Sequence, residues 1–353
     1  MAQPKILVTG ATGFLGSRLV RQLVEAGHSV KILARAGSSM RGLDDVPPDK
    51  IEVALGDITI EHTVYRALAG CDRLFHVAAN YKMWDREPSR ILDAAILGTE
   101  ATLSAARRRG IEKIVVTSSV AAVGATREPV PMDETFQFNR EDSETYIVAK
   151  WKAEQVALEE AERGLPVVVV NPTGIYGPGD WKPTPSGAAI LEYMGWKLPI
   201  GFPCTEGGIN VVDVDDVARG HILAMEKGRI GERYILGGEN VTFEQLFSTL
   251  SEITGLVGPG RKSSEGQAML LGRLMETWAR LTGGEPSLTY KLARDFACHY
   301  VWVTSAKAEK ELGYTARSAR QALSRSVHWY VANGYVPAEV LRRVRLDLRA
   351  AVV

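Results

Sequence analysis

The chain has 353 residues, of which 45% are hydrophobic and 24% are charged, and these are ordinary values for a globular protein. This length suits one large α/β domain with a smaller lobe, or two domains. The 42 basic and 42 acidic residues cancel to a formal net charge of zero, which argues against nucleic acid as a partner. No apolar run reaches the roughly 18 residues of a membrane span.

The cysteines, Cys71, Cys204 and Cys298, lie far apart in the chain and in no spacing that is typical of metal ligands. Their number is odd, and the chain has no signal peptide. We therefore expect reduced thiols in a cytoplasmic protein, with no metal site.

Short apolar runs alternate with helical patterns along the first half of the chain. The first run is followed by "FLGSRLVRQLVEAG", a helical pattern that ends at Gly27, a typical helix cap. Strands that alternate with helices predict an α/β fold, a Rossmann-type doubly wound parallel sheet. The runs that we interpret as strands are "KILVTG" (5–10), "SVKILAR" (29–35), "IEVALGD" (51–57), "DRLFHVAA" (72–79), "EKIVVTSS" (112–119) and "LPVVVVNP" (165–172).

The composition changes after Pro172. The segment "TGIYGPGDWKPTPSG" (173–187) is rich in Gly and Pro and predicts a loop at the carboxyl edge of the sheet. We assign 1–174 to the dinucleotide-binding Rossmann domain and 175–353 mainly to a smaller C-terminal substrate lobe, with some segments that return to the main sheet. The final segment, "EVLRRVRLDLRAAVV" (339–353), has an amphipathic basic pattern. We interpret it as a C-terminal helix packed on the body, with contact to a membrane surface as the alternative.

The first predicted strand leads into "TGATGFLG", in which Gly10, Gly13 and Gly16 follow the spacing G-x-x-G-x-x-G. They lie directly after a strand and at the opening of a helix, which is the context that a phosphate-binding turn requires. Gly10 allows the tight turn, Gly13 lets the backbone approach a pyrophosphate at the helix N-terminus, and Gly16 lets helix and strand pack closely. The turn predicts dinucleotide binding, and the alternative is a tight turn without a ligand. The other predicted cofactor contacts in this turn are Thr12, Phe14 and Leu15.

Two further segments carry side chains suited to acid–base chemistry at a carbonyl group. "VVTSSVAAVG" places Ser118 and Ser119 at the end of a strand, and "EDSETYIVAK" places Tyr146 and Lys150 one helical turn apart. A phenol, whose usual pKa is near 10, needs a stabilised anion to act near pH 7, and a neighbouring ammonium group provides this. The lysine can also hold the nicotinamide ribose, while a serine hydroxyl orients the substrate oxygen. We predict that Tyr146 and Lys150 are catalytic, against the alternative of a solvated lysine beside a surface tyrosine.

Together, the glycine spacing, the "TSS" segment and the YxxxK pair resemble the extended branch of the short-chain dehydrogenase/reductase superfamily, over nearly the whole chain. The resemblance implies an NAD(P)-dependent enzyme, and its spacing to Gly124 selects Ser119, not Ser118, as the catalytic serine. The chain departs from the family at Ala95 in "AAILGTE", where many relatives carry an asparagine, although dihydroflavonol reductases also lack it. The further cofactor contacts that the resemblance implies are Asp57 and Ile58 in "GDI", Val77, Ala78 and Ala79 in "HVAA", Thr117, and Pro172 and Thr173 in "NPTGIYGPGD".

The choice of dinucleotide depends on the end of the second strand. An NAD-preferring fold usually places an acid there to bind the ribose 2′-hydroxyl. This chain has Ala34 near that place and Arg35 after it, so no carboxylate repels a 2′-phosphate and a guanidinium can bind one. Arg41 is a second candidate for this contact. We expect NADP as the cofactor with NAD as the alternative; Arg35 could otherwise be a solvated residue at a strand end.

Two enzyme classes fit this pattern. The first is an oxidoreductase, similar to dihydroflavonol 4-reductase or 3β-hydroxysteroid dehydrogenase, that interconverts a ketone and a secondary alcohol on a bulky, largely apolar substrate. The second is a nucleotide-sugar epimerase or dehydratase, since "HVAANYKMW" and "SAKAEKELGY" are similar to the hopanoid-associated sugar epimerase group. A nucleotide sugar needs cations for its diphosphate, and Lys82, Lys182 and Arg219 form no tight cluster. A non-catalytic dinucleotide-binding protein is a third reading, which the intact catalytic residues disfavour.

Apolar and aromatic residues are frequent where the substrate pocket is expected, which favours the oxidoreductase and a hydrophobic carbonyl compound. Core packing is the alternative role for these side chains. Relatives often dimerise through two long helices, here about 86–109 and 143–163, so a homodimer is a further expectation by analogy. The predicted substrate contacts are Tyr81, Met83, Tyr176 and Trp181, together with Ser119, and the remaining apolar candidates are Trp84, Tyr193, Met194, Trp196 and Phe202.

Overall fold

The computed structural model describes residues 5–79, 87–196, 201–282, 284 and 288–346. The strands are β1 (Lys5–Thr9), β2 (Ser29–Ala34), β3 (Ile51–Leu55), β4 (Arg73–His76), β5 (Lys113–Thr117), β6 (Val167–Pro172), β7 (Gly174–Tyr176), β8 (Phe202–Thr205), β9 (Gly207–Asp213), β10 (Arg233–Leu236), β11 (Glu239–Thr242), β12 (Pro259–Ser263) and β13 (His299–Val301). The α-helices are α1 (Phe14–Glu25), α2 (Glu61–Ala67), α3 (Pro88–Arg109), α4 (Thr145–Glu162), α5 (Pro185–Gly195), α6 (Val214–Lys227), α7 (Phe243–Thr254), α8 (Glu265–Thr282), α9 (Tyr290–Phe296), α10 (Ala306–Leu312), α11 (Ala319–Ala332) and α12 (Ala338–Leu341).

The centre of the fold is a seven-stranded parallel sheet in the order β10-β6-β5-β4-β1-β2-β3. Helices cover both faces of such a sheet, so its inner strands are continuous apolar runs without polar alternation. Residues 167–170 of β6, for example, are four valines that are all fully buried. The six runs that we interpreted as strands all belong to this sheet, which confirms the predicted Rossmann-type α/β fold.

The helices position the edge of the sheet where the predicted site residues lie. On one face, α1 packs over β1 and β2, and α6 packs over β5 and β6. On the other face, α2, α3 and α4 lie side by side. Because parallel strands all end at the same edge, the segments that follow β1, β4, β5 and β6 come together above the sheet.

Residues after β6 build most of a second lobe. Strands β11, β9 and β13, with β7 also paired to β9, form a four-stranded sheet, and β8 pairs with β12. The core of this lobe contains large aromatic side chains, including Tyr193 and Tyr330, which are at most 1% exposed. Strand β10 instead joins the main sheet beside β6. The division of the chain at residue 174 stays a prediction.

Segment 173–187 is more ordered than the loop that its composition predicts. Gly174–Tyr176 form β7, and α5 begins at Pro185, a position in a helix where proline is well tolerated. The Thr184 side chain caps α5 by accepting from a backbone N–H of its first turn, and the buried Asp180 carboxylate accepts from the Thr184 N–H at 2.9 Å. These local hydrogen bonds supply the order that Gly and Pro content alone does not reveal.

The C-terminal segment also differs from the expected helix. Among its described residues, the helical part is Ala338–Leu341, and 342–346 continue without helix, anchored where the Arg345 N–H donates to the Thr254 carbonyl. Residues 347–353 lie outside the described part of the chain. No helix in the described ranges is long and apolar enough to cross a bilayer. Within those same ranges, no group of three His, Cys, Asp or Glu side chains is arranged to hold a metal ion.

A network of partly buried charges joins the two lobes. Arg18 on α1 donates two hydrogen bonds to the Asp215 carboxylate at the start of α6, at 2.5 and 2.9 Å. Arg325 on α11 reaches both Asp215 and Asp213 with N–O distances of 2.6 Å. Charges removed from water need several partners at once, and the loss of one partner leaves the others uncompensated. The network therefore fixes α1, the helix that follows the glycine turn, against the second lobe.

Gly16 provides a direct test of the packing between α1 and β1. A Cβ at this position would overlap the Gly10 carbonyl oxygen, so Gly16→Ala is expected to lower the free energy of unfolding by about 2–3 kcal/mol. Gly266→Ala in α8 is the matched control, because its added Cβ would meet no heavy atom within 4 Å. The control should be neutral or slightly stabilising, since alanine favours a helix over glycine. Urea unfolding measures both changes, and equal effects would contradict the packing argument.

Candidate active site

The glycine turn lies at the carboxyl end of β1, and its three glycines have different surroundings. Gly10 has a φ of +70°, and a Cβ there would lie 2.6 Å from the Ala78 nitrogen, so the backbone requires glycine. Gly13 is exposed, has a φ of −87°, and an added Cβ would meet only the Gly10 oxygen, at 3.3 Å. The fold alone therefore gives little reason for glycine at position 13. A glycine there instead fits the close approach of a ligand to the backbone.

Helix α1 begins at Phe14, directly after this turn. It has no side-chain cap on its first N–H groups and no acidic residue in its first turn. Free N–H groups and the positive end of a helix bind anions, so the turn fits the pyrophosphate of a dinucleotide. Thr12 is partly exposed beside it, whereas the Leu15 side chain is 8% exposed in the core below, so a contact from Leu15 would come from its backbone.

The two arginines predicted to bind a 2′-phosphate differ in what they contact. Arg35 directly follows β2, is exposed, and its side chain makes no hydrogen bond or ion pair among the described residues. The Arg41 guanidinium lies 3.9 Å from the centroid of the Trp181 ring, in a cation–π contact. Arg35 is therefore the arginine that can turn toward a ligand without breaking a described contact.

Asp57 and Ile58 follow β3 and face the neighbouring helices. One Asp57 carboxylate oxygen accepts from both the N–H and the hydroxyl of Thr59, at 2.9 and 2.8 Å. Ile58 packs against α3, where a Cβ added to Gly98 would lie 2.9 Å from the Ile58 side chain. The turn after β3 is thus fixed in place, with its second carboxylate oxygen left for a polar ligand group such as an adenine amine.

The end of β4 is held from the side of β1. The Thr9 hydroxyl interacts with His76 Nδ1 at 2.9 Å and accepts from the Ala78 N–H at 3.2 Å. Val77 packs on the core, and Ala79 is exposed. These contacts hold the predicted adenosine-binding segment against the glycine turn.

Ser119 and Tyr146 meet at the carboxyl edge, from β5 and α4. The Ser119 hydroxyl accepts from the Ala121 N–H at 3.1 Å and so caps a short 3-10 helix, Val120–Ala122. Burial raises the pKa of Tyr146, and hydrogen bonding with the Ser119 side chain partly offsets that rise. The phenol is therefore protonated at neutral pH.

Lys150 lies one turn after Tyr146 and is 9% exposed. Its ammonium group donates to the backbone carbonyls of Thr117 and Ser118, both at 3.4 Å, at the end of β5. Burial lowers the pKa of Lys150 to about 8, while the negative charge of Glu154 acts in the opposite direction. Near pH 7 the side chain carries a proton, and its positive charge favours the phenolate form of the neighbouring tyrosine.

A cavity of about 30 Å³ lies between α3 and α4, behind Tyr146 and Lys150. Ala95 lines this cavity at the position where many relatives carry an asparagine. Ser118 also lines it, is 6% exposed, and has a hydroxyl with no hydrogen-bond partner among the described residues. Ser118 thus faces the lysine side of the site, and Ser119 faces the phenol.

Thr117 is fixed by a histidine that the sequence analysis did not identify. His221 Nδ1 lies 2.8 Å from the Val217 carbonyl and must carry the proton, so the bare Nε2 accepts from the Thr117 hydroxyl at 2.9 Å. Burial lowers the pKa of His221 to about 4. With its hydroxyl turned toward α6, Thr117 presents its backbone carbonyl to the site.

Pro172 and Thr173 lie at the end of β6, beside the end of β5. Thr173 is 8% exposed, and its hydroxyl donates to the Asn210 side chain on β9 at 2.8 Å. A nicotinamide carboxamide would therefore meet the backbone groups of Thr173, because the hydroxyl is already engaged.

The predicted substrate contacts beyond Ser119 are only partly described. Tyr81 and Met83 lie outside the described residues. Tyr176 is 3% exposed in the core of the second lobe, and burial raises the pKa of its phenol to about 12. The Trp181 ring packs edge-on against Trp329, with centroids 4.7 Å apart. Both described aromatics thus have packing contacts, and their roles toward a substrate stay predictions.

Sequence analysis also missed a buried charge behind Lys150. Glu154 is 1% exposed and lies one turn after Lys150 on α4. One carboxylate oxygen accepts from Arg233 on β10 at 2.9 Å, and the other accepts from the Asn171 amide at 2.5 Å. The signal was present in the sequence, because an acid eight residues after Tyr146 falls on the same face of a helix.

His76 and His221 make the protein sensitive to acid. Burial lowers the pKa of each to about 4, against about 6.5 in an unfolded chain. Between these values the unfolded chain binds more protons, so the free energy of unfolding should fall as the pH drops from about 6.5 to 4. The slope is at most about 1.4 kcal/mol per pH unit for each histidine.

His221→Gln should flatten this dependence, whereas His62→Gln, at an exposed position on α2, should leave it unchanged. Urea unfolding at pH 7 and pH 5 measures the difference between the variants. Parallel behaviour of the two would contradict the assignment.

Comparison with known proteins places these residues in a family. The chain matches the NAD dependent epimerase/dehydratase family over residues 6–237. It is 36% identical over 337 residues to a putative dihydroflavonol 4-reductase of Synechocystis sp., covering 94% of this chain and 96% of that protein. It is 32% identical over 338 residues to sterol demethylase protein B of Methylococcus capsulatus, covering 94% and 99%.

A solved structure gives the same result for the fold. The crystal structure of gox2253 is 39% identical, has a TM-score of 0.83, and is matched over 95% of this chain and 100% of that one. The family match includes the glycine turn, Ser119, Tyr146 and Lys150. The chain therefore belongs to the NAD dependent epimerase/dehydratase family, the extended branch of the short-chain dehydrogenases/reductases.

Proposed function

We propose that the protein is an NADP-dependent oxidoreductase that interconverts a ketone and a secondary alcohol on a bulky, largely apolar substrate. The observation that carries the proposal is the grouping of Ser119, Tyr146 and Lys150 at one edge of the sheet. This edge also contains the glycine turn, so a bound dinucleotide and a carbonyl group can meet there.

Ser119, Tyr146 and Lys150 have different roles in the reaction at the substrate carbonyl oxygen. When bound, a reduced nicotinamide dinucleotide supplies the hydride for the carbonyl carbon. The Ser119 oxygen accepts from Ala121, and the hydroxyl hydrogen, which is shared with Tyr146 in this structure, would turn to the substrate oxygen when a substrate binds. Tyr146 transfers its proton to that oxygen as negative charge develops on it, which completes the alcohol and leaves a phenolate. The Lys150 ammonium stabilises the phenolate until solvent returns the proton.

The protonation state of Tyr146 suits the role of proton donor. Burial raises the pKa of this phenol, so it carries a proton at neutral pH. Reduction of a ketone requires such a donor, and the same group acts as the base when an alcohol is oxidised.

The proposal of NADP rests on the end of β2. Ala34 offers no carboxylate to a ribose 2′-hydroxyl, and Arg35 is exposed without a described partner. A guanidinium binds a phosphate through two parallel hydrogen bonds, which makes Arg35 the best-suited contact for a 2′-phosphate.

The substrate class is supported by the relatives. The Synechocystis protein is named for the reduction of a dihydroflavonol, and the Methylococcus protein is named for a sterol. Both are bulky compounds with large apolar surfaces. Of the cations that could bind a nucleotide-sugar diphosphate, Arg219 is instead held by Asp216 and Thr315. These points favour an apolar ketone.

A nucleotide-sugar epimerase is the second candidate, because the family that the chain matches is named for epimerases and dehydratases. Such an enzyme reoxidises its cofactor in each cycle and need not release it. Release of a near-stoichiometric NAD from the denatured purified protein would favour this candidate over the reductase.

Tyr146→Phe should lower kcat for reduction of a bulky ketone, such as a dihydroflavonol, by at least about 100-fold, since it removes the proton donor. The Kd for NADP should stay within a few-fold, because the ring remains. Tyr65→Phe is the matched control, since the Tyr65 ring contacts Arg109 through its face and Phe keeps that contact. Steady-state oxidation of NADPH measures turnover, and an active Tyr146→Phe variant would exclude the proposed role.

Arg35→Ser should raise the Kd for NADP about tenfold or more and leave the Kd for NAD nearly unchanged, because only NADP carries the 2′-phosphate. Arg66→Ser, at an exposed position on α2, is the control for the loss of a surface cation. Titration of cofactor-free protein by fluorescence or calorimetry provides both constants. Equal weakening of the two cofactors would reject Arg35 as the discriminating residue.

A further inference from the structure

The cavity behind the active site contains polar groups that the proposed reaction does not use. Helix α4 presents Tyr146, Lys150 and Glu154 along one stripe, each one turn after the last, and all three line the cavity. Ser118 lines the same space, and its buried hydroxyl has no partner among the described residues. A buried hydroxyl with no partner is unusual and marks a place where a polar group belongs.

The Glu154 charge is held from the side opposite the lysine. Arg233 donates to one of its oxygens and Asn171 to the other, so both carboxylate oxygens are held in place. Arg233 is itself fixed by the carbonyls of Glu134 and Phe136, at 2.6 and 3.0 Å. The carboxylate cannot turn away from the cavity without breaking this set of bonds.

Lys150 is less completely held than Glu154. Its two bonds to backbone carbonyls are both 3.4 Å long, and it makes no direct ion pair with Glu154 in the described part of the chain. The two side chains instead share the cavity of about 30 Å³, which has room for a water molecule between them. Such a water would have Lys150, Glu154 and the Ser118 hydroxyl as hydrogen-bond partners.

We propose that Glu154 is a positioning residue, which keeps the Lys150 ammonium charged and directed at Tyr146 across a cavity completed by the Ser118 hydroxyl. The inference rests on the proposed function, because it takes the stabilisation of the Tyr146 phenolate as the task of Lys150. It also explains how this chain works with Ala95 in place of an asparagine, since the polar lining comes from α4 and β5.

The other charged groups near Lys150 do not replace Glu154. From α4, Tyr146 is neutral at pH 7, and from β4, His76 is also neutral, because burial and the charge of Lys150 lower its pKa to about 4. From β10, Arg233 lies behind Glu154 and is bonded to it. The cavity residues contributed by α3, Ala95 and Thr99, do not titrate. Glu154 is therefore the acid among the described residues that faces the ammonium group.

Glu154→Gln tests this role without a substrate or a cofactor. Loss of the negative charge should let Lys150 lose its proton at lower pH. Nuclear magnetic resonance titration of the cofactor-free protein labelled with 13C-lysine, with the Lys150 signal assigned by comparison with Lys150→Arg, reports the ionisation of this one ammonium group. We expect its midpoint to fall by about one pH unit.

Turnover provides the second readout. Reduction requires a protonated Lys150, so the basic limb of the kcat/KM profile should move to lower pH by about one unit in Glu154→Gln. Glu154→Asp keeps the charge and should restore most of the wild-type profile. Glu159→Gln is the matched control, since it removes an exposed carboxylate from the same helix, 59% exposed, and should shift neither curve.

Glu154→Gln leaves Arg233 without its anion, so Glu154→Gln/Arg233→Met provides a second variant that removes both charges. Its Lys150 midpoint should also lie below that of wild type. If both variants unfold like wild type and their Lys150 midpoints stay within a few tenths of a unit of wild type, Glu154 is only a packing partner and the proposal is wrong. A shifted midpoint combined with full turnover in Tyr146→Phe would instead uphold the link between Glu154 and Lys150 and reject the proposed function.

Discussion

The burial of the Lys150 ammonium group is the constraint on which the rest of the site depends. Lys150 must carry a positive charge directly behind a phenol, yet it is almost fully removed from water, which disfavours that charge. Two carbonyls at the end of β5 meet part of the demand. The negative charge of Glu154 provides further stabilisation of the ammonium group, and Arg233, on the outermost strand of the same sheet, balances that negative charge. A chain of alternating charges thus runs from the phenol to the edge of the fold.

The parallel sheet allows residues that are distant in the sequence to form this chain of charges. Its members come from α4, β5, β6 and β10, which are far apart along the polypeptide, but the strands end side by side. Ser118 follows β5 and Asn171 lies near the end of β6, whereas Arg233 is the first residue of β10. The same arrangement brings the glycine turn after β1 to within backbone contact of Ala78 after β4. The glycine turn and the segment that follows β5, where Lys150 bonds, are therefore positioned by the same parallel sheet.

The sequence was most informative where local geometry dictates residue type. The glycine spacing and the YxxxK pair are local patterns, so the turn, the family and the helix face with Tyr146 and Lys150 could all be predicted. Contacts between distant elements could not be, because no local pattern specifies them. Tyr176 could as well have faced a ligand as a core, and it lies in the core; Arg41 could have faced a phosphate, and it stacks on Trp181. Glu154 needed only an extension of the helical pattern, but its partners, Asn171 and Arg233, lie on other strands.

The ion network around Asp215 has a consequence for how such a protein can diversify. Arg18 belongs to α1, the helix that follows the glycine turn, and it is bonded through Asp215 to Arg325 in the second lobe. Substitution at any of these three positions would loosen α1 and with it the glycine turn. The second lobe can therefore vary in sequence around this network, provided that the residues that anchor α1 are kept.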